Sequence, residues 1–431
     1  MTKTRIMGAG ALCALVLAAP CGRAADELVV GMSAAFTGPS ASLGTELYRG
    51  ASACFAEVNA HGGVHGRQIV LRAYDDGYNP DPAVANTVRL IEQDNAFVLF
   101  GYVGTPTVTR TLPLLKRYER HSTYLFCPFT GAEPQRRYPY DAFVFNLRAS
   151  YREETAGLVD HFVKVGRKKV GIFYQIDAYG RSGWEGVRDA LKKHDLRLTG
   201  EATYKRGARF ADPMTAQVNI LRKGDPDAVI CVGSYAACAA FVRDARDAGW
   251  DVPIANVSLV GSESLLALLD EAGARAGKDY TRGLINSQVV PSYHDTSLPA
   301  VRRYRELMDR HQPLPPEHLR PAGYKPLPYS FVSFEGYLDA ALLVEALTKM
   351  GDKPERSRLP AVMESLDRLD LGTGVPLSFG PKKHQGSDQV YYTVVEDGRF
   401  VPVKDWESWR KSYPPRCVRK RPRSSSATSS S

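Results

Sequence analysis

The chain has 431 residues, 44% of them hydrophobic, and a formal charge of +9. Ten of its cations lie outside residues 25–409, three near the N-terminus and seven in the last stretch, so the body between them carries only −1. That balance excludes a nucleic-acid-binding surface, and no run beyond the N-terminal one approaches the roughly 18 apolar residues of a membrane span.

At the N-terminus, Lys3 and Arg5 precede an apolar run over 6–19, and Gly22-Arg23-Ala24 supplies small residues for a signal peptidase. Residues 1–24 are therefore expected to be a signal peptide cleaved after Ala24, which places the mature chain in the periplasm. Cys21 offers lipid attachment as an alternative, which Pro20 disfavours. Five cysteines remain after cleavage (Cys54, Cys127, Cys231, Cys238 and Cys417), an odd number without metal-ligand spacing. Cys54 falls on an apolar helix face, and a Cys231–Cys238 bridge is disfavoured because one residue ends a strand and the other sits in the next helix.

From residue 27 onward, short β-rich runs alternate with amphipathic helical segments, the pattern of parallel sheets wrapped by helices. Strands are expected at 27–33, 68–74 and 97–100. Helices are expected at 44–60, 82–94 and 106–116, the first stopped by Gly62-Gly63. The pattern restarts after Asn146 with helices at 153–165, 183–193, 213–221 and 236–248, and strands at 169–174, 196–204, 228–232 and 253–257. Six prolines within 313–328 break the rhythm and read as an irregular surface insertion. A long apolar helix over 331–350 follows, then a hairpin of 390–395 and 400–403 around Asp397-Gly398. The basic, serine-rich residues 410–431 have almost nothing apolar to bury and are expected to form a disordered tail.

Catalytic signatures are missing: there is no Gly-x-Ser-x-Gly, no His-Glu-x-x-His and no phosphate loop. His61 and His65 flank a glycine turn, and Asp75-Asp76 precede Gly77 and Asn79-Pro80, so turn and cap chemistry accounts for both pairs. Neither a cofactor nor a metal is expected. Several strands are followed by small or hydroxylated residues that open a helix, at 33–37, 101–107 and 129–132. In open α/β sheets ligands bind beyond the carboxyl ends of the strands, and free N–H groups at a helix start, with the Thr105 and Thr107 hydroxyls beside them, make a seat for a carboxylate.

Val30-Gly-Met-Ser-Ala-Ala-Phe-Thr-Gly-Pro39, Val58-Asn-Ala-His-Gly-Gly-Val-His-Gly-Arg67 and Tyr74-Asp-Asp-Gly77 resemble the opening motifs of the branched-chain amino-acid binding proteins of ATP-binding-cassette transporters. Tyr174-Gln-Ile-Asp-Ala-Tyr-Gly180, Gln288-Val-Val-Pro291 and Phe334-Glu-Gly-Tyr337 extend the resemblance over nearly the whole mature chain. It implies an α/β fold of two doubly wound, Rossmann-like lobes joined by three crossovers, the type I periplasmic binding protein. The crossovers fall near 146–150, 288–291 and 375–389, with lobe 1 formed by 25–147 and 290–375 and lobe 2 by 148–289 and 376–409. It further implies a monomeric, non-enzymatic protein that captures a small-molecule ligand between the lobes by hinge closure and delivers it to a membrane transporter permease.

By the same resemblance, Thr105 holds a ligand carboxylate and the loop Phe129, Thr130 and Gly131 adds contacts to it. Tyr179 and Tyr235 close over the ligand, while Leu43 and Tyr102 shape the wall. This chain departs from the family pattern in its bulky Phe129 and in Gly131 at a hydroxyl position, where Thr130 substitutes only if the loop shifts by one. Glu263 and Glu335 are the candidate acids for an amino group. The ligand is thus expected to be an amino acid or related carboxylate, with a larger apolar molecule (an aromatic acid, lipid or sterol) or a ligand-sensing receptor component as the alternatives.

Overall fold

The computed structural model describes residues 27–321 and 323–413. The leader, Cys21, Cys417 and most of the basic tail lie outside the described residues.

Lobe 1 is built from β1 (Glu27–Ala34), α1 (Ala41–Ala60), β2 (Gln68–Asp75), α2 (Pro80–Glu92), β3 (Val98–Phe100), α3 (Thr105–Arg117), β4 (Leu125–Phe126) and β5 (Val144–Phe145). Its five strands are all parallel, in the order β2-β1-β3-β4-β5. Val30, Met32, Leu99 and Phe100 are buried, as a parallel sheet covered on both faces requires.

Lobe 2 runs α4 (Tyr151–Lys164), β6 (Val170–Gln175), α5 (Ala178–Lys193), β7 (Gly200–Tyr204), α6 (Thr215–Lys223), β8 (Ala228–Val232), α7 (Tyr235–Asp247), β9 (Ile254–Asn256), α8 (Ser262–Ala276) and β10 (Leu284–Gln288). The chain then returns to lobe 1 with α9 (Pro299–His311), α10 (Phe331–Met350) and α11 (Leu359–Glu364), and α9 and α10 pack on α1. Finally β11 (Tyr391–Glu396) and β12 (Arg399–Pro402) add an antiparallel edge beside β10, completing the order β12-β11-β10-β9-β8-β6-β7. Their turn holds Asp397 and Gly398 at φ 49° and 68°, the left-handed pair that a tight hairpin needs.

Local chemistry sets the element starts. The predicted helix at 153 begins two residues earlier because Ser150 Oγ accepts from Glu153 N and Glu153 Oε2 accepts from Ser150 N, a complete capping box. The strand expected from 196 narrows to Gly200–Tyr204.

One further expectation needs correction. The tail does not begin at 410: α12 (Trp406–Ser412) buries Trp409, and Arg167 donates to Tyr413 O. The proline-rich stretch is irregular and mostly exposed, and it is held to α1. Arg49 on α1 donates to Pro313 O (2.9 Å) and Leu327 O (2.6 Å), Tyr324 OH bonds Glu46 (2.6 Å), and Leu319 is buried.

The first and third crossovers run side by side: Asn146 N donates to His384 O and Gly386 N to Asn146 O (both 2.8 Å), and Ser387 N donates to Leu147 O (3.1 Å). Val289 and Val290 of the second crossover meet Leu147 and Leu377 across a small apolar gap. Cys54, Cys127, Cys231 and Cys238 are all buried free thiols. Among the described residues, no helix is long and apolar enough to cross a membrane.

Candidate functional site

The loops after β3 and β4 lie against each other because Phe129 N donates to Tyr102 O (2.8 Å) and Gly104 N to Phe129 O (3.1 Å). That pairing brings the Thr105 and Thr130 hydroxyls to 2.7 Å, with Tyr151 OH 3.4 Å from each. Thr105 opens α3, whose N-cap Gly104 has no side chain to satisfy the helix start. Three buried hydroxyls thus converge on a helix N-terminus, two from lobe 1 and one from the first turn of lobe 2. Hydroxyls can donate to an anion there with the helix dipole behind them.

Thr130 points to Thr105, whereas Gly131 is taken up by Tyr151: a Cβ on Gly131 would stand 2.6 Å from Tyr151 Cδ1, and Tyr151 N donates to Gly131 O at 2.7 Å. Thr107 is not part of the seat, because its hydroxyl turns back to Val103 O (2.6 Å) and Gly104 O (2.7 Å).

Phe129 faces the hinge, with the Arg148 guanidinium 4.8 Å above its ring. Arg148 is fully buried between Glu154 (3.5 Å) of α4 and Glu335 (3.4 Å) of α10, and it also bonds Ser258 Oγ. Glu154 in turn accepts from Ser258 N (2.7 Å) and Ser287 Oγ (2.6 Å). Burial works against the Arg148 charge, but Glu335 and then Glu154 outweigh it and hold its pKa above the ordinary range. Burial pushes the Glu335 carboxyl up to about 7, with Arg148 pulling the other way. Glu335 is therefore committed to a guanidinium at the hinge, a placement that corrects its reading as a free acid for an amino group.

Tyr179 is placed by Asp177, which caps α5 by accepting from Tyr179 N (3.0 Å); its ring packs 5.2 Å from Tyr151. Tyr235 and Leu43 lie where the lobes meet. Tyr235 OH accepts from Ser42 N (3.3 Å), Ser42 Oγ and Ser264 Oγ are 2.7 Å apart, and Leu43 packs on Gly261. Glu263 belongs to the same junction rather than to the hydroxyl cluster, since its Oε1 accepts from Phe331 N (3.3 Å). Its carboxylate is enclosed although the residue keeps some exposure, and burial pushes it up to about 7 against the bonds from its own N–H, Phe331 and Tyr293. Tyr102 requires correction as a wall residue: its hydroxyl bonds Thr87 (3.1 Å) and it packs with Leu90, Val108 and Leu112 inside lobe 1.

Sequence reasoning passed over Tyr151, Arg148 and Tyr78. The Ser150-x-x-Glu153 box was the available signal for Tyr151, which it sets at the first helical position. Tyr78 gave no such signal. Asp75 and Asp76 do more than form a turn: Asp75 accepts from Phe36 N (2.8 Å) and Thr37 Oγ1 (2.5 Å), and Asp76 from Ser33 Oγ (2.8 Å) and Tyr78 N (2.9 Å). They tie down the β1–α1 loop from which Leu43 follows. Among the described residues, no group of three or more His, Cys, Asp or Glu could hold a metal.

This architecture and chain length recur in known proteins. The model of a periplasmic binding protein family matches residues 27–399. An amino acid binding protein of Pseudomonas aeruginosa is 27% identical over 262 residues, which cover 60% of this chain and 66% of that one. The crystal structure of a possible leucine/isoleucine/valine-binding protein from Rhodopirellula baltica is 34% identical with a TM-score of 0.78, over 89% of this chain and 97% of that one. A substrate-binding periplasmic protein from Ralstonia solanacearum is 27% identical with a TM-score of 0.77, over 87% of this chain and all of its own. Two parallel α/β lobes, three adjoining crossovers and a match over nearly the whole described chain give one answer: the protein belongs to the periplasmic binding protein family, in its branched-chain amino-acid, type I branch of solute-binding proteins.

Proposed function

We propose that this protein captures a small carboxylate, an amino acid or a close relative of one, between its lobes in the periplasm and hands it to a membrane transporter. The observation that carries the reading is the cluster of Thr105, Thr130 and Tyr151 hydroxyls at the uncapped start of α3. A carboxylate there takes bonds from both lobes at once. It therefore favours the form in which the lobes meet, by its extra contacts in that form. The three adjoining crossovers are the hinge about which the lobes would part.

A second reading, a ligand without an amino group, is favoured by the placement of the two candidate acids. Glu335 is paired with Arg148, and Glu263 is bonded to Phe331 N away from the hydroxyls.

Titration calorimetry with matched pairs, valine against isovalerate and phenylalanine against phenylpropionate, separates the two readings. Binding of the amino acids alone supports the first, and equal or tighter binding of the deaminated partners supports the second. Thr105→Val removes one hydroxyl donor to a charged group, a loss of about 1.5–3 kcal/mol or roughly 10- to 150-fold in Kd. Wild-type affinity in that variant would refute the seat.

A further inference from the structure

We infer that Tyr78 is the residue that limits how far a ligand can extend from the Thr105 seat. The inference rests on the carboxylate reading above and adds a determinant of ligand length. Tyr78 follows Gly77 in the turn after β2, and both adopt left-handed backbone, at φ 62° and 55°. A bulky residue rarely accepts that conformation. It is held there by Asp76, itself buried, whose carboxylate accepts from Tyr78 N at 2.9 Å and from Ser33 Oγ at 2.8 Å. Asn79 N donates to Asp76 O at 2.8 Å and closes the turn.

The result of this costly turn is a ring laid over Gly104, so close that a Cβ on Gly104 would collide with it. Gly104 is the N-cap of α3, and the next residue is Thr105. The Tyr78 ring therefore stands directly beside the anion seat. Its far end crosses to the other lobe, where the hydroxyl lies beside Gln175 with Tyr151, Asp177 and Tyr204 as its charged or polar neighbours. That hydroxyl is buried, with Gln175 as its hydrogen-bonding neighbour. A residue placed only to fill a core would not need a left-handed backbone, nor carry its ring from a helix start in one lobe to a polar side chain of the other. A tyrosine plug between the seat and the Gln175 floor accounts for both features.

The test is titration calorimetry with unbranched monocarboxylates from butyrate to decanoate, on the wild-type protein, Tyr78→Gly and Tyr78→Phe. Glycine adopts the left-handed backbone without strain, so the first variant keeps the turn. The second keeps the ring and loses only the hydroxyl. In the wild type and in Tyr78→Phe, affinity should rise with chain length and then fall off at the same member. In Tyr78→Gly it should keep rising past that member by about four-fold per added methylene, the equivalent of ~0.8 kcal/mol each. A Tyr78→Gly profile that parallels the wild type, whether weaker throughout or not, overturns the role of Tyr78 and leaves the carboxylate seat standing. Failure of every member to bind all three proteins overturns this inference, and the seat falls with it if valine and phenylalanine also fail to bind.

Discussion

Arg148→Met is the sharpest perturbation of the hinge. It keeps most of the side-chain volume but withdraws the guanidinium that pairs with both Glu154 and Glu335. Both carboxylates are buried, and breaking a buried pair by removing one partner costs about 3–5 kcal/mol. Loss of the guanidinium over Phe129 adds roughly 0.5–2 kcal/mol. The cost should also depend on pH. The Glu335 carboxyl already sits at about 7, and Arg148 is the group that pulls it down. Without Arg148 that carboxyl rises further, so the folded variant holds a proton which the unfolded chain releases near its ordinary value of about 4.3. Its stability should therefore fall more steeply than the wild type's as pH rises from 5 to 8. Urea unfolding at both ends of that range measures this directly, and Arg148→Met/Glu335→Gln should recover part of the loss because it removes the stranded charge. A paired charge at the crossovers is refuted if Arg148→Met is no more destabilising than Arg181→Met, a change at an exposed pair, or if the double variant recovers nothing.

The wild-type protein should itself lose stability as pH rises toward neutrality. Burial holds Asp76 and Glu263 at about 7, so each contributes stability present below its unfolded pKa of about 4 and lost as pH rises through 7. Asp76→Asn and Glu263→Gln should flatten the decline in melting temperature between pH 5 and 8; an unchanged slope in both would count against enclosed, protonated carboxyls. Gly131→Ala drives a methyl group into Tyr151 and should cost about 1–3 kcal/mol, with a loss of ligand binding larger than the change in melting temperature explains. Calorimetry and thermal unfolding on the same sample decide it.

The parts legible in the sequence were those whose determinants are local. Alternating βα runs, the hairpin at Asp397-Gly398 and the helix stop at Gly62-Gly63 depend on residues a few positions apart, and the structure has them where such rules place them. The place of Thr105 at the start of α3 was legible because a hydroxyl opening a helix after a strand is a local pattern. The remainder was set by distant neighbours. Gly131 looked like a missing hydroxyl, but its identity is fixed by Tyr151, which packs against it. Arg148 finds Ser258 110 residues away, and Glu263 finds Phe331 68 residues away. No spacing in the sequence signals such pairs. The anchoring of the proline-rich stretch was hidden for a related reason: Glu46 and Arg49, which hold it, lie in the first helix and carry no local mark of that role.

The same long-range pairing bears on what the cleft can hold. An ammonium group entering a buried site needs a free carboxylate, since an unpaired charge there costs several kcal/mol. Two buried acids at the crossovers, Glu154 and Glu335, already share Arg148, and Glu154 is also bonded by Ser258 and Ser287. To recruit Glu335, an amino group would have to replace a guanidinium that sits on Phe129 and bonds two other residues. The carboxylate end meets no such competition, because the Thr105, Thr130 and Tyr151 hydroxyls bond chiefly one another and can rotate to donate outward. The bulky Phe129 belongs to this arrangement: it is the surface on which Arg148 rests, and through Arg148 it helps keep Glu335 occupied. Affinity should thus reside at the carboxylate, with selectivity set by the aromatic side chains around it more than by an amino group.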